Sequence, residues 1–148
     1  MELKFKVFGR IARPVADVFE AVTNPDQLSQ YFTTGGAKGR LRKGATVIWD
    51  FADFPGAFPV EVTDLENNSL ITLQWGSNED NGNVTEVVMD FSDAGNGFTL
   101  LEITEFGWDP NQAGLNASYG NCMGWSQFIC ALKVWIEHGI HLRDGFYK

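Results

Sequence analysis

The sequence predicts an α+β fold in which a curved antiparallel sheet of about six strands wraps around one long C-terminal helix, with two short helices after strand one. Three observations support this prediction. Residues 121–138 carry an amphipathic helix pattern, six earlier segments alternate apolar and polar residues, and turn-forming Gly, Asn, Asp and Pro residues separate most of those segments. At 148 residues the chain has the length of one domain, and we expect residues 1–148 to form it.

The N-terminal part of the chain predicts one strand followed by two short helices. Apolar and charged residues alternate over residues 3–11, so one face of this strand is buried. Pro14 suits the first turn of a helix, and the apolar residues of segment 15–22 form its buried stripe. Asn24 is a suitable N-cap for a second helix that begins at Pro25.

The middle of the chain predicts an antiparallel meander. A Gly-rich, basic connection over residues 33–44 comes first. Period-two alternation then marks five strands, and the turns between them are short enough for neighbouring strands to pair. The predicted strands lie around residues 47–51, 58–62, 71–75, 87–91 and 98–106.

Charge and composition exclude several partners. The net charge is −8, which disfavours nucleic acid and anionic membrane surfaces, so we expect neither partner. No apolar run approaches the roughly 20 residues that cross a bilayer, and the N-terminus lacks an apolar signal region. Cys122 and Cys130 are too far apart on a helix to form a disulfide. We therefore expect a cytoplasmic protein.

The aromatic content of 14%, with 12 Phe and 5 Trp, indicates either a bulky core or a lined pocket, and both interpretations stay open. A pocket would lie between the inner face of the sheet and the long helix. Gly120 and Gly124 each cost about 1 kcal/mol relative to Ala, which indicates either close approach of the helix backbone to the sheet or to a ligand, or simple packing. The candidate ligand-binding residues are Trp49, Phe51, Val60, Leu73, Trp75, Val87, Met89, Leu101, Ile103, Glu105, Trp108, Trp125, Phe128, Ile129 and Leu132.

Glu105 is the candidate for chemistry. The alternation within segment 98–106 turns Glu105 inward, where its carboxylate can bind a polar ligand group or act as an acid or base. A β-bulge before Gly107 would instead return it to solvent. An enzyme would combine Glu105 with Tyr119 or Asp50, but the sequence yields no catalytic constellation.

Three further segments have weaker interpretations. The basic residues of segment 38–43 form a solvated loop or a surface for an acidic or anionic partner, and they lack the P-loop ending. Residues 107–116 have the length of a lid over a pocket. His138 and His141 have no acidic or cysteine residue to complete a metal site, so we expect neither a metal nor a cofactor.

Residues 12–32, ARPVADVFEAVTNPDQLSQYF, resemble the opening of the START-like (SRPBCC) helix-grip superfamily. The branch that the chain resembles more narrowly is related to the C-terminal domain of the activator of the heat-shock protein ATPase. The Val18-Phe19 pair, the Asn24-Pro25 turn and the Gly124-Trp125 pair carry this resemblance, which extends over essentially the whole chain. It implies a helix-grip fold with a cavity between the sheet and the C-terminal helix.

The superfamily includes ligand binders, lipid carriers, cyclases and co-chaperone domains, so the resemblance leaves three functions open. The leading hypothesis is a cytosolic domain that binds a small, largely apolar molecule. The second is a co-chaperone-type interaction module that stimulates a heat-shock ATPase. The third is a cyclase-like or hydrolase-like enzyme that uses Glu105.

Overall fold

The computed structural model describes residues 1–79 and 81–148. It contains a seven-stranded antiparallel sheet in the order β1-β7-β6-β5-β4-β3-β2, two short helices and one long C-terminal helix. This arrangement confirms the predicted α+β architecture. In chain order the elements are β1 (Lys4–Ile11), α1 (Val15–Thr23), α2 (Pro25–Leu28), β2 (Gly36–Lys38), β3 (Thr46–Phe51), β4 (Phe54–Glu66), β5 (Leu70–Gly76), β6 (Val84–Gly95), β7 (Phe98–Phe106) and α3 (Gln112–His138).

Several boundaries differ from the sequence prediction. Strands β4 (Phe54–Glu66) and β6 (Val84–Gly95) extend beyond the predicted segments 58–62 and 87–91. The Gly-rich connection contains the short strand β2, which pairs with β3 and forms one edge of the sheet. Helix α3 begins at Gln112, because the Asn111 side chain caps it by accepting a hydrogen bond from the Gly114 N–H at 2.9 Å. The predicted 10-residue connection over residues 107–116 was therefore wrong in its second half, which is helical.

Helix α3 lies close to the opposite edge of the sheet. Gly9 on β1 permits this approach, since a Cβ at that position would lie only 2.5 Å from Cγ2 of Ile129. Further along α3, the Lys133 Nζ donates to the Arg10 carbonyl at 2.9 Å, and the Ala12 N–H donates to Glu137 Oε2 at 2.8 Å. These contacts anchor the C-terminal half of α3 on β1.

The hydrophobic core lies between the inner face of the sheet and helices α1 and α3. Phe19 of α1 packs edge-on against Phe91 of β6, with ring centroids 5.0 Å apart. Phe32, which follows α2, packs against Trp125 and Phe128 of α3. Within residues 1–79 and 81–148, no helix is long and apolar enough to cross a membrane.

Candidate functional site

A cleft of about 750 Å³ opens at one end of the sheet. It lies where β3 ends, β4 begins and β5 ends, opposite the N-terminal half of α3, and the segment after α3 closes one side. Its lining is mostly aromatic and small: Phe32, Phe51, Phe54, Gly56, Phe58, Pro59, Trp75, Gly76, Asn78, Gly120, Asn121, Met123, Gly124, Trp125, Arg143 and Tyr147.

Aromatic rings packed against one another form the wall of the cleft. The rings of Trp75 and Trp125 lie 5.3 Å apart between centroids, and Phe32 stacks on Trp125 at 5.4 Å. On the sheet side, Phe51 and Phe58 lie 5.7 Å apart. Because each ring is held by its neighbours, the wall presents a large apolar surface with little conformational freedom left to lose on binding.

Gly120 and Gly124 leave the α3 side of the cleft bare. A Cβ built on either glycine meets no atom of the described residues within 4 Å, apart from its own helical turn and chain neighbours. The expectation that these glycines bring the helix backbone close to the sheet was therefore wrong. They instead leave open space in the cleft. This space is consistent with the other expectation, that a ligand approaches the helix backbone there.

Three of the predicted ligand-binding residues, Phe51, Trp75 and Trp125, line the cleft. Ten others pack in the core away from it, each at most 6% exposed. The alternation identifies residues on the inner face, but α1 and α3 cover most of that face directly and leave only one end open. The core residues are Trp49, Val60, Leu73, Val87, Met89, Leu101, Ile103, Phe128, Ile129 and Leu132.

Trp108 also lies away from the cleft, so the predicted lid has a different role. Its indole Nε1 donates to the Ser77 carbonyl at 3.1 Å, and its ring stacks on Phe5 at 5.7 Å. The side chain is only 5% exposed. It fixes the loop before α3 against β1 and the end of β5.

Glu105 faces inward on β7 and is fully buried. The register between β7 and its neighbours β1 and β6 is regular there, without the bulge that would turn the side chain outward. Four side chains donate to its carboxylate: Trp75 Nε1 at 2.9 Å, Thr85 Oγ1 at 2.6 Å, Asn121 Nδ2 at 3.0 Å and Trp125 Nε1 at 2.8 Å.

Burial raises the pKa of Glu105 above its usual value, while the hydrogen bonds from Thr85, Trp75, Trp125 and Asn121 act in the opposite direction. The carboxylate does not line the cleft itself, but three of its donors do. Glu105 therefore lies behind the cleft wall and holds Trp75, Asn121 and Trp125 in place.

The remaining candidates for chemistry lie apart from Glu105. Tyr119 is 64% exposed, and the Asp50 carboxylate on β3 accepts the Gly56 N–H of β4 at 3.0 Å. His141 binds the Gln30 carbonyl through Nδ1 at 3.0 Å. No group of three or more His, Cys, Asp or Glu side chains within the described parts of the chain could hold a metal ion.

The basic segment is partly neutralised by ion pairs. The Arg40 guanidinium binds both carboxylate oxygens of Glu20 on α1, with Nη1 at 3.0 Å from Oε1. Lys43 lies 3.5 Å from Asp64 on β4. These pairs favour a structural role for at least part of the segment.

Several cleft residues were not identified from the sequence. Arg143 and Tyr147 come from the irregular segment after α3, and Phe54 is the first residue of β4. Arg143 donates through Nε and Nη2 to the two oxygens of Asp53, at 2.9 and 3.1 Å, and its guanidinium lies 4.7 Å from the Phe51 ring centroid. The segment after α3 carries no periodicity that would place its side chains. Its aromatic and charged composition was therefore the one indication that it belongs to the site.

A curved antiparallel sheet, a long C-terminal helix and a cleft between them define the helix-grip class. The family model described as "Activator of Hsp90 ATPase homolog 1-like protein" matches residues 12–137, and the chain belongs to this family. This confirms the resemblance found in the sequence. Among curated proteins, none matches the sequence of this chain.

Solved structures share the fold at low sequence identity. Protein SSP2350 from Staphylococcus saprophyticus is 23% identical with a TM-score of 0.77, and the alignment covers 97% of this chain and 96% of that one. Protein MLL2253 from Mesorhizobium loti is 21% identical with a TM-score of 0.79, covering 93% and 98%. The Aha1 dimer from Colwellia psychrerythraea is 22% identical with a TM-score of 0.74, covering 92% and 97%.

Proposed function

We propose that this protein binds a small, largely apolar ligand in the cleft between strands β3–β5 and helix α3. The observation that carries the proposal is the cleft of about 750 Å³ with its aromatic wall. This volume falls within the range of roughly 300–1,000 Å³ that is typical of small-molecule sites. The few polar groups that line it, such as Asn78, Asn121 and Arg143, suit a ligand with limited polarity.

The bare helix side supports the same proposal. Two glycines in the first half of α3 each cost about 1 kcal/mol of helix stability relative to Ala, and no packing against protein atoms offsets that cost in the described structure. On the sheet side, the same cleft is lined by Phe51, Phe58 and Trp75. A flat apolar molecule placed there would contact helix backbone on one side and aromatic rings on the other.

The proposal includes a cytoplasmic location. Cys122 is partly buried and Cys130 is exposed, and both are free thiols. A reducing compartment keeps exposed thiols in this form.

A titration tests the proposal. Binding of naphthalene, a neutral apolar probe, should change the fluorescence of Trp75 and Trp125, which lie in the cleft wall. Gly124→Leu should weaken this binding by about tenfold or more, because the new side chain occupies the cleft. Ala113→Leu is the matched control, since Ala113 is an exposed residue of the same helix that does not line the cleft. Equal binding by the two variants, or no binding by the wild type, would contradict the proposal.

Membership of the family favours a second candidate, a co-chaperone-type module that stimulates a heat-shock ATPase. A steady-state ATPase assay with a purified Hsp90-type chaperone distinguishes the two. Stimulation that persists in Gly124→Leu would indicate a function of the protein surface. No stimulation, together with naphthalene binding by the wild type, would support the ligand-binding function alone.

The geometry does not favour the enzyme alternative. The Glu105 carboxylate is 0% exposed and accepts hydrogen bonds from four side chains, so a substrate in the cleft meets the donors and not the carboxylate. An acid or base must come within hydrogen-bonding reach of the proton that it transfers. Tyr119 does not line the cleft either.

A further inference from the structure

We propose that Glu105 fixes the hydrogen-bonding polarity of the cleft, so that the polar end of the cleft accepts hydrogen bonds and selects a neutral ligand that donates one. The ligand class would be an apolar molecule with a hydroxyl or N–H group. This inference rests on the proposed ligand-binding function and specifies the chemistry of its ligand.

The partners of Glu105 are hydrogen-bond donors. The indole N–H groups of Trp75 and Trp125 can donate a hydrogen bond but cannot accept one. Both donate to the carboxylate, at 2.9 and 2.8 Å. The Thr85 hydroxyl donates to Oε2 at 2.6 Å. This set of donors favours an ionised Glu105, which can only accept.

The Glu105 carboxylate orients the side-chain amide of Asn121. Its Nδ2 amide nitrogen lies 3.0 and 3.2 Å from the two carboxylate oxygens of Glu105. The reversed amide would place the Oδ1 carbonyl against the carboxylate, and two acceptors would then face each other. Glu105 therefore fixes the Asn121 amide, and its Oδ1 carbonyl points away from the buried carboxylate.

The orientation of the Asn121 amide determines the orientation of the Asn78 amide, because the two side chains share a hydrogen bond. The Asn78 Nδ2 donates one of its two N–H groups to Asn121 Oδ1 at 3.2 Å, which orients the Asn78 amide. Asn78 keeps its Oδ1 acceptor and a second N–H, and Asn121 Oδ1 keeps a second lone pair. Asn78 and Asn121 both line the cleft, so the polar end of the cleft presents two carbonyl acceptors.

The charge of Arg143 in the cleft is neutralised by an ion pair. Among the described residues that line the cleft, Arg143 is the charged one, and the Asp53 carboxylate pairs with its guanidinium through two hydrogen bonds. Both side chains are largely buried, with exposed fractions of 14% for Arg143 and 9% for Asp53. The pair has no net charge, so the cleft suits a neutral ligand over an anionic or cationic one.

Two probes of similar size test the inference in the full chain. Naphthol carries a hydroxyl donor, whereas methoxynaphthalene has the same ring system and an oxygen that cannot donate. We expect the wild type to bind naphthol about five- to tenfold more tightly, the ratio that one net hydrogen bond supplies. Asn121→Leu should bring this ratio close to one while methoxynaphthalene still binds.

Glu105→Gln should also lose or reverse the preference, because a Gln side chain can donate to Asn121 and permit its amide to turn. Asn116→Ala is the control, since Asn116 is exposed on the same helix and does not line the cleft. It should keep the wild-type ratio. The readout is a ratio between two ligands, so a general loss of stability does not imitate the effect.

The outcomes separate the inference from the proposed function. If the wild type binds both probes equally, the inference is wrong and ligand binding stands. If the wild type binds neither probe, the proposed function fails and the inference fails with it. An unchanged ratio in Glu105→Gln overturns the role of Glu105. If that variant does not fold, the Asn121→Leu ratio decides, and an unchanged ratio there overturns the inference.

Discussion

The Nε1 atom of Trp125 lies 2.8 Å from Oε1 of Glu105, and this bond joins helix α3 to strand β7 behind the wall of the cleft. Trp75, on β5, donates to the other oxygen of the same carboxylate at 2.9 Å. Two aromatic side chains of the cleft wall therefore share one buried anchor. Because their N–H groups have a fixed acceptor, their rings are held in place before a ligand arrives.

We expect Glu105→Leu to lower the free energy of unfolding by about 2–4 kcal/mol, because buried donors of Trp75, Trp125 and Thr85 lose their acceptor. Urea unfolding followed by tryptophan fluorescence measures this change. Glu102→Leu is the matched control on the same strand. Glu102 pairs with Lys6 at the surface, and its loss should cost less than about 1 kcal/mol. Equal effects of the two substitutions would contradict the role of Glu105 as an anchor.

The pKa of Glu105 predicts a pH dependence of stability. Burial raises this pKa in the folded protein, so the folded state holds the proton to a higher pH than the unfolded state does. The resulting stabilisation is complete below the unfolded carboxyl pKa of about 4.3 and is lost as the pH rises through the folded value. The free energy of unfolding of wild type minus that of Glu105→Gln should therefore decrease across this window and then level off. A difference that increases with pH would contradict this prediction.

The sequence predicts the fold well because alternation and helical periodicity are local. The inward direction of Glu105 follows from its strand partners Leu101 and Ile103, and the structure has all three on the inner face. The start of α3 was missed for a related reason. The buried residues of its first turns are Gly114 and Ser118, so residues 112–120 carry no apolar stripe for a periodicity argument to detect.

The position of the cleft could not be predicted, because it depends on contacts between distant residues. The Gly9–Ile129 contact holds α3 near β1 and leaves the other end of the sheet open. Periodicity identifies the inner face of each strand but does not indicate which part of that face the helix covers. Arg143 and Asp53 also meet only in the folded chain, so neither was recognised as part of the site.

Gly120→Ala and Gly124→Ala should stabilise the protein and weaken its ligand binding. Each substitution improves helix propensity by about 1 kcal/mol, and the described structure has space for the added methyl group. The same methyl groups enter the cleft, so naphthol should bind more weakly. Thermal unfolding and a fluorescence titration measure the two effects. Gly114→Ala is the control in the same helix, and it should destabilise because its Cβ would lie 1.9 Å from the Asp109 carbonyl oxygen. Tighter naphthol binding by the double variant would contradict the assignment of the cleft.

The lowered pKa of Glu137 predicts a pH dependence of stability opposite to that of Glu105. Burial acts to raise its pKa, but the Ala12 N–H at 2.8 Å and the Lys133 ammonium at 2.7 Å outweigh burial and hold the pKa below its usual value. This stabilisation is present above the unfolded pKa of about 4.3 and is lost as the pH falls through the lowered folded value. Glu137→Gln should lower the free energy of unfolding at neutral pH by about 1–3 kcal/mol, with the difference from wild type shrinking in acid. A difference that is constant with pH would show that the charge of Glu137 is not involved.

Asp53→Asn tests whether the cleft is neutral because Asp53 offsets Arg143. In the wild type, naphthol should bind more tightly than the naphthoate anion, since the guanidinium is already paired with a carboxylate. Removing that carboxylate leaves an uncompensated cation at the mouth of the cleft, so naphthoate affinity should rise by about fivefold or more. Asp64→Asn is the matched control, because Asp64 pairs with Lys43 on the surface and does not line the cleft. Isothermal titration with both probes measures the change. If Asp53→Asn binds naphthoate no better than Asp64→Asn does, the prediction is wrong. Arg143 then does not face the ligand, and the ligand lies nearer to Trp75 and Trp125.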